Sequence, residues 1–276
     1  YLRMELSSNF SPWCFAVLIF ALFIISGAAV PGSPSAAAQE TQAPPKTTEI
    51  KPVIDPEADN LLKAMSAVLS KAKTYTVSAD VSYDRLMPSG LLLKFSGTVD
   101  VTVERPNKVY ASFDGDIQDR KIWYTGSEMT VLDPDNGFYG ALKTPDTIVE
   151  TMDFLINDYC MTIPLADILS ADPYKAFISN AVAGVVVGES TINNKSCTHL
   201  AFVQKYIDWQ IWISDGADKL PCKLVINYKT VPGSPQYSAE FSHWSIDPSI
   251  DPSLFKPDIP AEAVKIDFLK MQEENK

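Results

Sequence analysis

The chain is poor in the residues from which most catalytic and metal sites are built. Its 276 residues include two histidines, His199 and His243, and four cysteines. Neither histidine sits near a recognisable nucleophile motif, and no Gly-x-Ser-x-Gly elbow occurs, which removes the common hydrolase schemes. The glycines form no strand–loop–helix cradle for phosphate. Basic residues are also in deficit: 23 Lys and Arg stand against 34 Asp and Glu, for a net charge of −11. An acidic chain without a basic block suits neither nucleic acid nor an anionic membrane, and the charge reads as solubility.

What is present begins with a leader. Arg3 precedes the apolar run Trp13–Ile25, and small residues follow as far as Ala36-Ala37-Ala38. That is the order of a secretory signal, with cleavage expected after Ala38 and a periplasmic destination for residues 39 onward. The alternative is an uncleaved anchor, because Trp13–Val30 is 18 residues long and just reaches spanning length. Cys14 stands ahead of the apolar run, the wrong side for a lipid-modified cysteine. Removing residues 1–38 takes away only Arg3 and Glu5 among charged residues, so the net charge stays at −11. Residues 39–54 are polar and proline-bearing and read as a disordered leader.

The domain is expected over residues 55–270, with a tail at 271–276. Asp55 and Pro56 start a helix, and Leu61, Leu62, Met65, Val68 and Leu69 give it one apolar face to about Lys73. The period then changes to two. Tyr75, Val77, Ala79, Val81 and Tyr83 alternate with polar residues, as do Phe95, Val99, Val101 and Val103 after the Pro88-Ser89-Gly90 turn. Arg105-Pro106-Asn107 turns the chain into further short strands ending near Leu142. Thr144-Pro145-Asp146 begins a helix with Ile148, Val149, Met152, Leu155, Ile156 and Tyr159 on one side. A shorter helix follows Pro164 and is broken by Asp172-Pro173. Strands return from Ala183 to Ile246, and a proline-rich stretch leads to a last short strand near Val264–Phe268. Asn194-Lys195-Ser196 fits a glycosylation acceptor, but turn chemistry explains it better.

The pattern is that of a mostly β (α+β) fold: a curved antiparallel half-barrel of about eleven strands plugged by helices. A long sheet with one apolar face must curl around something, and the helices are the only material to fill it.

Few constellations carry chemistry. Cys197 and His199, at i and i+2 on a strand, offer a sulfur and a nitrogen to zinc, but no further ligands stand at usable spacing, so no metal is expected. No cofactor is expected either. Asp133/Asp135 and Asp114/Asp116 fall in loops where aspartate caps the backbone, off calcium-loop spacing. Cys197 and Cys222 fall on strands separated by a third, about 10 Å apart, beyond the roughly 7 Å a disulfide allows. Buried thiols are expected. Trp123, Trp209, Trp212 and Trp244 join other aromatics on strands, where they are core by default. An open sheet with helices against it also tends to leave an apolar pocket, suited to an elongated ligand such as an acyl chain.

Several segments resemble one family. They are Thr74–Val81, Glu104–Val109, Cys197-Thr-His199-Leu-Ala-Phe202, Asp208-Trp209-Gln210-Ile211-Trp212-Ile213 and Pro221–Ile226. Together they are similar to the periplasmic proteins of domain-of-unknown-function family 2092, over about residues 55–270. That family looks like a relative of the LolA/LolB-type lipoprotein carriers. The resemblance implies a bacterial periplasmic setting and a helix-plugged half-barrel around an acyl-chain cavity. Cys222 stands where a basic residue is expected, a departure that points to a thiol near the surface.

The expected function is non-enzymatic: a periplasmic binding or carrier protein for a lipid or lipoprotein acyl chain. The alternative is an interaction or sensor protein that meets an envelope partner with its polar face. The expected pocket joins Ile148, Met152, Leu155 and Ile156 of the middle helix to Val99, Val101, Trp209 and Ile211 of the sheet.

Overall fold

The computed structural model describes residues 52–159 and 161–270. The expected signal segment, most of the expected polar leader, Cys14, Cys160 and residues 271–276 lie outside the described residues. Among the described residues no helix is long and apolar enough to cross a membrane.

Helix α1 (Pro56–Lys71) starts as its sequence dictates. The Asp55 carboxylate accepts from the Glu57 amide at 2.8 Å, and Pro56 takes the first helical position, where its missing N–H costs nothing. Ala58, Leu62, Met65 and Leu69, at three- and four-residue steps, are completely buried. The chain then alternates through β2 (Thr74–Leu86), β3 (Leu92–Glu104), β4 (Lys108–Gly115), β5 (Asp119–Tyr124), β6 (Glu128–Asp133) and β7 (Phe138–Lys143). Each pairs antiparallel with the next, so these six form one meander. After three helices come β8 (Ala183–Ile192), β9 (Lys195–Val203), β10 (Ile207–Ser214), β11 (Pro221–Tyr228) and β12 (Gln236–Ile246), a second meander. Asn193 and Asn194 both take positive φ at the β8–β9 turn, as a tight hairpin requires.

The two meanders join where β12 lies antiparallel to β2, making one open, curved, mostly antiparallel sheet. Its strands number 13 rather than eleven. Two-residue strands β1 (Val53–Ile54) and β13 (Val264–Lys265) close the edges, pairing parallel with β8 and β7. Segments that short show no alternation to read.

The helical interlude holds three helices: α2 (Ile148–Tyr159), α3 (Ala166–Leu169) and α4 (Pro173–Ile178). Thr147 caps α2, its hydroxyl accepting from the Glu150 amide at 3.2 Å. The expected break at Asp172-Pro173 is instead a start: Asp172 accepts from the Lys175 amide at 3.0 Å and Pro173 opens α4, which buries Phe177. An aspartate followed by proline suits a helix beginning as well as an ending.

The largest cluster lies beneath α1, where Leu62, Met65 and Leu69 meet Val77, Ala79 and Val81 of β2, Leu200 and Phe202 of β9, and Trp209, Ile211 and Ile213 of β10. A second joins Tyr75, Val103, Val109, Tyr124, Ile148 and Leu169. A third joins Met129, Val131 and Leu155. The expected thiols are corrected: Cys197 and Cys222 form a disulfide with Cα atoms 6.9 Å apart. The register explains the reach. Trp212 pairs with Lys223 but Ile213 pairs with Pro221, so Cys222 is the extra residue of a bulge. A bulge bends its strand, and this one shortens the span across the end of β10. Neither sulfur is near the surface, for Cys197 is fully buried and Cys222 5% exposed.

Candidate ligand cleft

The helices divide the apolar face of the sheet between them. Helices α1, α3 and α4 cover the half built from β8 to β12 and β2, while α2 covers β5, β6, the end of β3 and the start of β4. Between the two covers, the apolar side chains are only half-buried. Phe95, Val99 and Val101 of β3 and Phe113 of β4 belong to this band, as does Met152 of α2, while Ile156 is half-buried but borders none of the three clusters. Val101 borders both the first and the second cluster.

The eight residues expected to form a pocket therefore separate. Val101 and Met152 border the cluster that holds Ile148. Leu155 belongs to the third cluster, against Met129 and Val131. Val99 borders the cluster under α1. Trp209 and Ile211 lie within that cluster, so they do not meet α2. The Trp209 ring stacks on Phe202 at 4.1 Å and faces Phe177 of α4 at 5.1 Å. Alternation identifies the inward face of β10, but the helix that covers it depends on the order of strands in the sheet.

Arg105 is a functional candidate that sequence reasoning treats only as part of a turn. It follows β3 directly, and its guanidinium stands 5.7 Å over the Tyr75 ring. Nη1 donates to the Leu169 carbonyl of α3 at 3.0 Å, and the neighbouring Pro106 carbonyl accepts from the first amide of α2 at 3.1 Å. Nε and Nη2 are buried without a hydrogen-bond partner. Burial pushes the Tyr75 hydroxyl well above the usual phenol range, with the Arg105 charge opposing. The sequence signal available was an arginine placed between a long apolar strand face and a proline.

The zinc pairing weighed for Cys197 and His199 is not available, because Cys197 is committed to the disulfide. His199 Nε2 bonds Gln210 Oε1 at 2.9 Å, and the ring stacks on Trp212 at 3.9 Å. Desolvation lowers its pKa, against the bond to Gln210. Among the described residues no three His, Cys, Asp or Glu side chains come together as a metal set. The loop carboxylates staple turns: Asp116 accepts from the Ser96 amide at 2.6 Å, Asp135 from the Asp119 amide at 2.7 Å, and Asp133 pairs with Arg120 at 3.0 Å.

The opposite face of the sheet is polar. It carries a cleft of about 680 Å³ lined by residues that include Asp80, Ser82, Thr98, Asp114 and Glu240. Further along, the proline-rich segment covers this side of β4, where Phe255 is buried and the Lys108 ammonium lies 5.6 Å from its ring.

No curated protein matches the chain. Among solved structures it is similar to the lipoprotein LppX of Mycobacterium tuberculosis, at 13% identity over 71% of this chain and 98% of that one, with a TM-score of 0.46. LprF of Mycobacterium bovis matches at 13% identity over 76% of this chain and 99% of that one, with a TM-score of 0.43. A LolA superfamily protein of Nitrosomonas europaea matches at 9% identity over 72% and 97%, with a TM-score of 0.34. The model of the DUF2092 family, described as predicted periplasmic proteins, matches residues 58–269, and the chain belongs to that family.

Proposed function

We propose that this protein is a non-enzymatic periplasmic binding or carrier protein for an apolar ligand, a lipid or the acyl chain of a lipoprotein. The observation that carries the reading is the band of half-buried apolar side chains between the two helical covers: Phe95, Val99, Val101, Phe113 and Met152. A chain that only needed a core would bury them, since each fully buried side chain of this size contributes about 1.5–3 kcal/mol. A hydrocarbon chain laid along the band recovers the remainder.

A second reading, as an interaction scaffold for an envelope protein, draws on the polar cleft of the opposite face. Native mass spectrometry after gentle purification separates the two, together with titration by a fluorescent fatty acid. Co-purified lipid and saturable probe binding support the carrier. Protein that carries no lipid and binds no apolar probe removes that reading.

A further inference from the structure

We propose that Arg105 is the head-group anchor of this cleft, and that the ligand is an acyl-chain lipid ending in an oxyanion, a carboxylate or a phosphate. The inference rests on the apolar-ligand reading and specifies it.

Its basis is the way the guanidinium is held. Nη1 is occupied by the Leu169 carbonyl, which fixes the plane of the group. The two donors left over, Nε and Nη2, point along the same edge of that plane. This edge is the fork that takes both oxygens of a carboxylate or two oxygens of a phosphate side by side. Among the described residues no carboxylate pairs with Arg105, although two of its guanidinium nitrogens are buried and a charge so placed is disfavoured without a counter-ion. The Tyr75 ring beneath it compensates only in part.

Arg120, a buried arginine within the sheet, shows what a structural role looks like here. Arg120 is ion-paired with Asp133 at 3.0 Å, and its nitrogens also donate to the Asp119 carbonyl at 2.5 Å and to Gln118 Oε1 at 3.2 Å. Arg105 has been given rigidity and an apolar setting, but no anion.

Placement fits the same ligand. Phe95, Val99, Val101 and Val103 alternate along one face of β3, and Arg105 continues that alternation just past the strand end. Tyr75, under the guanidinium, shares its cluster with Val101 and Met152. From Phe95 to Arg105 the strand rises about 33 Å at the usual spacing, ample for a long acyl chain with its head at Arg105. Both free donors are buried, so the head group takes them when the side chains over them move aside, with the Nη1 bond to the Leu169 carbonyl kept.

The test is displacement of a neutral fluorescent apolar probe by hexadecanoate, hexadecyl phosphate and hexadecanol. Wild-type protein is expected to bind either anion at least about tenfold more tightly than the alcohol, the ratio that a charge-assisted fork implies. Arg105→Met is expected to abolish that preference while binding hexadecanol within about twofold of wild type. Circular dichroism checks that the variant is folded. Should it fail to fold, Arg105→Lys keeps the charge without the fork and is expected to lose at least half the preference. Equal wild-type affinity for all three ligands overturns the anchor and leaves the apolar-ligand reading standing. An unchanged preference in a folded variant also overturns the anchor. Loss of all three interactions in wild type overturns the apolar-ligand reading itself. Inorganic phosphate competing as well as hexadecyl phosphate would assign the fork to a free anion and overturn the lipid.

Discussion

At the scale of single residues, the disulfide and His199 make claims that can be measured. Cys197 and Cys222 are 25 residues apart, and a link closing a loop of that size contributes about 2–4 kcal/mol, largely by restricting the unfolded chain. The double variant Cys197→Ala/Cys222→Ala is expected to melt on the order of 10 °C below wild type. Reductant should lower the melting temperature of wild type and leave the variant unmoved. Equal melting of both forms under oxidising conditions would remove the bond from the account. A buried disulfide also agrees with the oxidising compartment that the family description names.

His199 has a folded pKa depressed below its usual 6.5. Below that pH the unfolded chain takes up a proton that the folded one refuses. Stability is therefore full above about pH 6.5 and falls as the pH drops toward the folded pKa. His199→Gln is expected to flatten the slope of melting temperature between pH 7 and pH 5, and an identical slope in the variant would sink the claim. Asp59 and Asp215 are held below the usual carboxylate range. Lys63 and the Tyr174 hydroxyl bond the first, and the Ser196 and Thr198 hydroxyls bond the second. Their contribution is present above the ordinary carboxylate pKa and lost only below it, outside the histidine window. The sequence showed Cys197 and His199 on one strand but not that one would be committed and the other stacked. Both outcomes depend on β10, the strand that lies beside them.

At the scale of elements, α2 separates cover from core within a single helix. Leu155 is 1% exposed against Met129 and Val131, whereas Met152 is half-buried where the helix borders Val101. Met152→Asp is expected to weaken uptake of a fluorescent fatty acid and leave the melting temperature within a few degrees of wild type. Leu155→Asp is expected to cost several kcal/mol, because a buried carboxylate without a partner cannot be tolerated there. Titrations and melts of both variants check this, and a Met152→Asp protein that unfolds would make α2 core throughout. The apolar side of α2 was legible from its spacing, as were the inward faces of β2 and β10. Which strands each helix covers was not, because the alternation does not show that β12 joins the second meander to β2. That is why Val101 and Met152 border one cluster, while Trp209 lies under α1 and α4.

The whole molecule repeats the contrast. Long alternating strands such as β2, where Tyr75, Val77, Ala79, Val81 and Tyr83 are all buried, announced a curved sheet with one apolar face. The edges escaped notice because β1 and β13 are two residues each, and α4 because its opening Asp172-Pro173 also reads as a stop.

The seam between β12 and β2 has a kinetic consequence. Within each meander every pairing is local and can form as soon as both strands exist. The seam instead couples Tyr83 to Tyr237 and Tyr75 to Ile246, contacts separated by more than half the chain. Closing so long a loop costs entropy before any contact returns it, so the seam should set the height of the folding barrier. A folding chain would hold two half-sheets with exposed edges until β12 meets β2. Whatever guards those edges during that interval governs the yield of folded protein more than the stability of the finished sheet does.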